Sequence, residues 1–305
     1  MKLIATYLLF LILCLSVTAE IHAQTFFEDA HGTTSINLPV GGLIRVNTTG
    51  NSLKMGYYYN RSDRDIVVGI DASGISNNGL APLVTNKELS PEAHISFNLG
   101  LKNISTGNSM PRGYDYLNLR IGIGAAQYRM MNVNAPFEQQ ISTRSFNKVN
   151  IGLSYNYYLN GNMIFGTYAG YDRTNNISSL TELTIKETVT TGTDSNGTSR
   201  TAEAEYTAWE GTLRSVDQFS LFLDYVYIPD FLRNRVALSV YSRSRFNRIN
   251  NITNGGLGLY LNREGAPLNI VGGLIYEFAD LFDVRDTGAP PGERGTVGIV
   301  LGYHF

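Results

Sequence analysis

Apolar side chains recur at every second position in segment after segment of this chain, which is the period of a β-strand. The last segment is the clearest case. Val297, Ile299, Leu301, Tyr303 and Phe305 fall on one face, and Thr296, Gly298, Val300, Gly302 and His304 on the other. The same alternation runs through residues 268–278, 257–262, 235–243, 219–227, 163–171, 148–157, 117–124, 94–101, 65–71 and 53–59. Residues 36–46 form the least regular segment, because Pro39 is tolerated mainly at a strand edge or start. Asn160-Gly161-Asn162 between two alternating runs is a hairpin signal. The pattern predicts an all-β chain of about twelve antiparallel strands in up-and-down order.

The make-up of the two faces decides where the apolar one points. In a soluble sandwich or a small ligand-binding barrel it points inward, but about twelve strands enclose a lumen too wide to fill with those side chains alone. The opposite face is rich in Gly, Asn and Ser and carries both signs of charge, as a wet lumen requires. The expectation is a transmembrane β-barrel with its apolar face in lipid. Connection lengths agree with it. If Phe305 ends on one rim, residues 61–64, 160–162, 229–234 and 263–266 become short turns on that rim. Residues 74–92, 129–145, 173–216 and 279–293 become long loops on the other, with 102–114 a mild exception. Tyr57 with Tyr59, Tyr155 with Tyr157, Tyr225 with Tyr227 and Tyr303 with Phe305 then land at the short-turn rim as an aromatic girdle, and Tyr171, Tyr276 and Phe278 mark the opposite one.

Composition adds the compartment. Lys2 precedes the apolar stretch 3–17, and Ala23 supplies a small residue before Gln24, so residues 1–23 read as a cleaved signal peptide and 24–305 as one barrel domain. Beyond that leader no apolar run approaches the ~20 residues of a spanning helix. The single cysteine, Cys14, lies in the leader after Leu13, a residue too large for lipoprotein processing. The mature chain therefore has neither disulfides nor thiolate–metal bonds. A net charge of −2 with 16% charged residues gives no reason to expect nucleic acid as a partner. The leader, the strand pattern and residues 297–305 together resemble the class of Gram-negative outer-membrane proteins, whose last strand commonly ends in phenylalanine. The resemblance implies a bacterial outer membrane, lipid as surroundings, periplasmic N- and C-termini, and Phe305 as a mark read by the barrel-insertion machinery. It names no narrower family.

Candidate chemistry lies on the inward face: Arg45, Lys54, Asp71, Arg120, Lys148, Asp224, Arg235, Arg243, Arg245 and Glu277. These charges either line a pore with a mild preference for anions or pair with one another across the lumen, since unpaired charges there are costly. His94, Ser96 and Asn98 loosely resemble the His-x-Ser arrangement of outer-membrane phospholipases. Pro91 replaces a glycine of that pattern, however, and alternation turns the three inward, so lumen lining is the expected role and no catalytic residue is assigned. Residues 175–215 read as a Thr- and Glu-rich hairpin above the membrane, extending the long extracellular loop near 173–216; Glu182, Glu187, Glu203 and Glu205 lack the spacing of a calcium loop. No cofactor or metal site is legible. The functions in view are a pore or transporter for small solutes, or a closed barrel serving a surface partner or secretion machinery through its loops. A lipid hydrolase is the third.

Overall fold

A computed structural model describes residues 33–36, 41–48, 52–60, 65–75, 92–103, 113–159, 162–193, 199–248, 251–262, 270–284 and 290–304. The strands are β1 (Gly41–Asn47), β2 (Ser52–Asn60), β3 (Ile66–Ile75), β4 (Glu92–Lys102), β5 (Gly113–Met131), β6 (Ile141–Leu159) and β7 (Met163–Asn175). They continue as β8 (Thr181–Thr193), β9 (Ser199–Glu210), β10 (Ser215–Tyr227), β11 (Val236–Asn247), β12 (Asn251–Asn262), β13 (Ile270–Phe278) and β14 (Gly295–His304). Among the described residues, twelve of these pair antiparallel with their neighbours in chain order, β8 and β9 standing aside. β1 pairs with β14 from Leu43↔His304 to Asn47↔Val300, which closes the sheet into an up-and-down barrel and leaves the wall without an edge.

The alternation read from the sequence is the alternation of the wall. In β3 the residues run exposed and buried in turn: Ile66, Val68 and Ile70 face outward and Val67, Gly69 and Asp71 inward. Leu257, Leu259 and Leu261 of β12 and Leu238 and Val240 of β11 likewise stand on the outer surface. That outer surface is an apolar belt. On the rim where β2, β6 and β10 end, Tyr59 and Tyr155 are exposed while Tyr57, Tyr157, Tyr225 and Tyr227 are half-buried, and Phe165 packs on Tyr225 at 4.9 Å. The Tyr303 side chain and Phe305 lie outside the described residues.

Two expectations change. The first strand was expected to begin at Ile36, but the ladder starts at Gly41, and Ile36 sits inside the barrel. Pro39, the residue expected to mark the strand's edge, lies outside the described residues. The connection expected as a loop over 129–145 is strand at both ends, for β5 runs to Met131 and β6 starts at Ile141, leaving residues 132–140 as a connection around a short 3-10 helix, Phe137–Gln139. The Thr- and Glu-rich segment is the hairpin β8–β9, tied to β5 by the parallel pairs Met130↔Trp209 and Met131↔Glu210. Trp209 is half-buried. It meets Tyr128 edge-on at 5.5 Å in a small apolar cluster with Ala126, Met130, Phe146, Ile177, Leu180 and Leu213. Ala126, Tyr128, Met130 and Phe146 carry the inward register of β5 and β6 beyond the barrel proper. The hairpin's base therefore leans over the loop-side mouth.

Inward tyrosines lie against glycines of neighbouring strands. A Cβ on Gly69 would stand 2.1 Å from the Tyr58 ring, and one on Gly100 would stand 1.8 Å from the Tyr116 hydroxyl. The missing side chain is the space the ring occupies. Gly69→Val is expected to drive Tyr58 out of its place and destabilise the barrel by about 1–3 kcal/mol, read by urea unfolding followed by far-ultraviolet circular dichroism in detergent micelles.

Candidate functional site in the barrel lumen

The rim that holds the barrel ends of β14, β2, β6 and β10 also receives the start of β1, and the lumen on this side is filled. Ile36, Tyr58, Val67, Tyr116, Tyr158, Ile164, Val226, Ile228, Ala237, Tyr241, Tyr260, Ile275 and Val300 form one buried cluster across it. Wall side chains alone do not reach the axis of a twelve-stranded barrel; here the chain itself supplies the filling. Ser35 and Ile36, 0% and 1% exposed, run inside the wall. Asp224 accepts hydrogen bonds from the Ser35 backbone N–H at 2.8 Å and from the Ser35 hydroxyl. The Asn156 amide donates to the Ser35 carbonyl at 2.8 Å, and a Cβ on Gly166 would collide with both Ile36 and Ser35.

Arg243 secures the other oxygen of Asp224. Its Nη2 lies 2.7 Å from Asp224 Oδ1, and both side chains are all but fully buried. Nη1 donates to the carbonyls of Leu223 and Ser242, and the guanidinium lies over the rings of Tyr241 and Phe222 at 4.7 and 5.3 Å. A planar fork satisfied on several sides is the form in which a charge tolerates burial. Arg243 Nη2 also reaches the Thr33 carbonyl at 3.5 Å. Thr33 and Thr34 line a cavity in the loop-side half of the lumen, whereas Ile36 belongs to the apolar filling. Residues 33–36 thus descend through the lumen.

A second carboxylate organises the opposite wall. Asp71 Oδ1 lies 3.3 Å from both Lys54 Nζ and Arg120 Nη2, and Oδ2 accepts from Asn98 at 2.8 Å and from the Tyr58 hydroxyl at 3.0 Å. Arg120 also donates to Ser96 Oγ through Nε and Nη2 at 3.0 and 2.9 Å. Four neighbouring strands, β2 to β5, meet in this cluster. Nearer the loops Lys148 pairs with Glu92 at 2.5 Å, Glu92 accepts from Tyr128, and Asp172 accepts from Asn150 and Ser220. Glu277 accepts from Asn254 at 2.8 Å and from Tyr241 at 3.3 Å.

Of the charged residues singled out in the sequence, Arg45, Lys54, Asp71, Arg120, Lys148, Asp224, Arg243, Arg245 and Glu277 stand on inward positions. Arg235 is different. It immediately precedes β11 and is exposed at the filled rim, its carbonyl accepting the Asn262 backbone N–H at 2.8 Å. The pairs Lys54–Asp71 and Arg120–Asp71 run along the wall between nearby strands, at 3.3 Å. His94 Nδ1 and Ser96 Oγ are 3.1 Å apart, but they face the lumen, Ser96 is fully buried, and its oxygen already receives Arg120. The Glu-rich hairpin pairs Lys186 with Glu205 at 3.8 Å in the open, and no cluster of potential metal ligands occurs among the described residues.

Sequence reasoning missed the role of residues 33–36. Thr33, Ser35 and Ile36 carry no motif, and a threaded segment has no periodicity of its own. The cavity above them has a volume of about 320 Å³, with the stacked rings of Tyr168 and Phe222, 5.0 Å apart, along its wall. Arg45, Lys54, Arg120, Lys148 and Arg245 surround it.

No protein-family model matches the chain, and no curated protein sequence does. Among solved structures, a refined porin matches with a TM-score of 0.36 and 10% identity over 87% of this chain and 73% of the porin. The β-domain of the Bordetella autotransporter BrkA matches with a TM-score of 0.31 and 11% identity over 87% of this chain and 95% of that domain. Likeness of this size assigns no function.

The two kinds of ion pair make opposite forecasts. Asp71→Ala leaves two cations facing each other on a buried wall and is expected to cost about 3–5 kcal/mol, whereas Lys186→Ala on the exposed hairpin is expected to change stability by less than about 1 kcal/mol. Urea midpoints of the two refolded variants, compared with the parent, check both.

Proposed function

We propose that this chain is a bacterial outer-membrane β-barrel, exported by a leader cleaved after Ala23, that is closed to free diffusion and acts through its loop-side face. The observation that carries this reading is the filled half of the lumen. Thirteen buried side chains form the cluster, and the Ser35–Asp224–Arg243 arrangement holds the chain across the axis. An aqueous channel needs a continuous wet path, and an apolar constriction of this kind excludes water. The outer belt supports lipid as the surroundings, because an exposed apolar surface of such extent has no other stable partner for a barrel. The loop side offers the means of contact: the extended β5–β6 hairpin and the β8–β9 hairpin both stand beyond the wall.

The cation-lined cavity supports a second reading, passage of a small anionic solute in a state where residues 33–36 have moved aside. Both readings put Phe305 and the rim tyrosines at the periplasmic boundary.

Planar-bilayer recording of the refolded mature chain separates them. The closed barrel is expected to show no steady conductance above the lipid baseline, and regular stepwise openings in the parent protein would overturn it. The position of the belt is tested independently. Leu259, on the outer face in the middle of β12, is expected to cost about 2–4 kcal/mol when replaced by Arg, measured by urea unfolding from phospholipid vesicles. An unchanged midpoint would remove Leu259 from the hydrocarbon.

A further inference from the structure

Closure of the barrel removes the edges of the wall, but the sheet continues beyond it. β9 joins β5 through Met130↔Trp209 and Met131↔Glu210, and β8 follows on the far side of β9, so that β8 ends the series. Among the described residues the second edge of β8 carries no ladder. A strand in that position presents a row of backbone N–H and C=O groups to a chain able to pair with them. β8 holds no proline, and its one shift in register against β9 falls between Thr190 and Gly192, at the end away from Thr181. The stretch from Thr181 to Lys186 is regular strand.

The side chains of that stretch say which chain fits. Glu182, Thr184 and Lys186 are exposed, while Leu183 and Ile185 are half-buried beside Ala208 and Tyr206 of β9. Lysine on an edge ordinarily discourages pairing with another strand, and the Lys186 side chain is 65% exposed. Set antiparallel to a second copy of itself about Thr184, however, β8 places Glu182 of each copy opposite Lys186 of the other, and Leu183 opposite Ile185. Two ion pairs and two apolar pairs then surround one twofold axis. Hydrogen-bonded and non-hydrogen-bonded pairs alternate along a ladder, so such an axis has to pass through a residue that faces itself. An axis at Glu182 or Lys186 sets like charges opposite each other. One at Leu183 or Ile185 leaves Glu182 or Lys186, respectively, opposite Thr184. The register about Thr184 is the one within this stretch that matches both charges.

We propose that β8 is a docking edge for a second copy of this protein, two copies pairing their β8 strands antiparallel about Thr184 to make one sheet in the order β5–β9–β8–β8–β9–β5. The proposal names a partner for the loop-side face and rests on that part of the proposed function, not on whether the lumen conducts. A second copy is chosen over an unrelated strand because the match of charges is self-complementary: every copy carries both halves of it.

Residues 24–305 contain no cysteine, so single introduced thiols are clean reporters. Each variant is refolded in detergent micelles, with heat-modifiable gel mobility confirming a folded barrel. Under mild oxidation Thr184→Cys is expected to form a disulfide-linked dimer at least about tenfold faster than Glu203→Cys, an exposed position on β9, because residues facing each other on adjacent strands lie within disulfide reach. Glu182→Cys and Lys186→Cys are expected to cross-link with each other when mixed and not alone, since in this register a residue two positions from the axis lies roughly 14 Å from its own copy. Charge exchange reads the same register without thiols. In sedimentation equilibrium, Glu182→Lys and Lys186→Glu are each expected to self-associate about tenfold more weakly than the parent, and their equimolar mixture to recover the parent's affinity. Equal cross-linking at positions 184 and 203, or association indifferent to these charges, overturns the proposal. A monomer at every concentration also overturns it and leaves the edge to a different chain. Conductance of the same preparations keeps the two ideas apart: a dimer of this register that conducts steadily supports the pairing while overturning the closed barrel.

Discussion

Closure of the sheet between β1 and β14 is the constraint from which the rest of this structure follows. Once the wall has no edge, every wall side chain is committed to one of two surroundings, and a slip by one residue would exchange them all. The outer set is uniform, because surroundings of one kind ask only for apolar groups. The inner set is mixed, because it must satisfy itself. Buried carboxylates have consequently gathered cations, amides or hydroxyls from nearby elements: Asp71 draws on β2, β4 and β5, and Asp224 on β11 and on the threaded segment.

The same constraint explains why a segment of chain lies in the lumen. A twelve-stranded wall leaves more space than inward tyrosines and aliphatics fill, and a void in the middle of a fold forfeits contacts on every side. Ser35 and Ile36 occupy that space with backbone, and backbone brings donors and acceptors that must be paired. Asp224 and Asn156 meet them, and Arg243 in turn balances Asp224. The apolar cluster and the polar tether are therefore one device, in which the cluster excludes water and the tether makes burial of the segment tolerable. Above it the lumen changes character, with cations around a cavity and a hairpin base leaning over its mouth. The two halves of the barrel differ in character, an apolar filling on one side and a cation-lined cavity on the other.

The sequence by itself determined the class of fold, the strand count, the sidedness of nearly every wall residue and the rim on which the tyrosines gather, since all of these follow from a period of two and from the lengths of the connections. It also located most of the charged inner residues, because Asp71, Arg120, Asp224 and Arg243 sit in register with neighbours whose alternation is unmistakable. Only the tertiary structure decided what those charges do. Lys54 and Asp71 are seventeen positions apart in sequence yet paired at 3.3 Å, and no pattern along the chain distinguishes that contact from one across the lumen. Arg235 reads as an inward residue and is exposed, because it stands at the very rim, one position before the strand begins. Residues 33–36 are the extreme case: a segment that makes no ladder leaves no periodicity, and its place on the barrel axis exists only after twelve strands have closed around it.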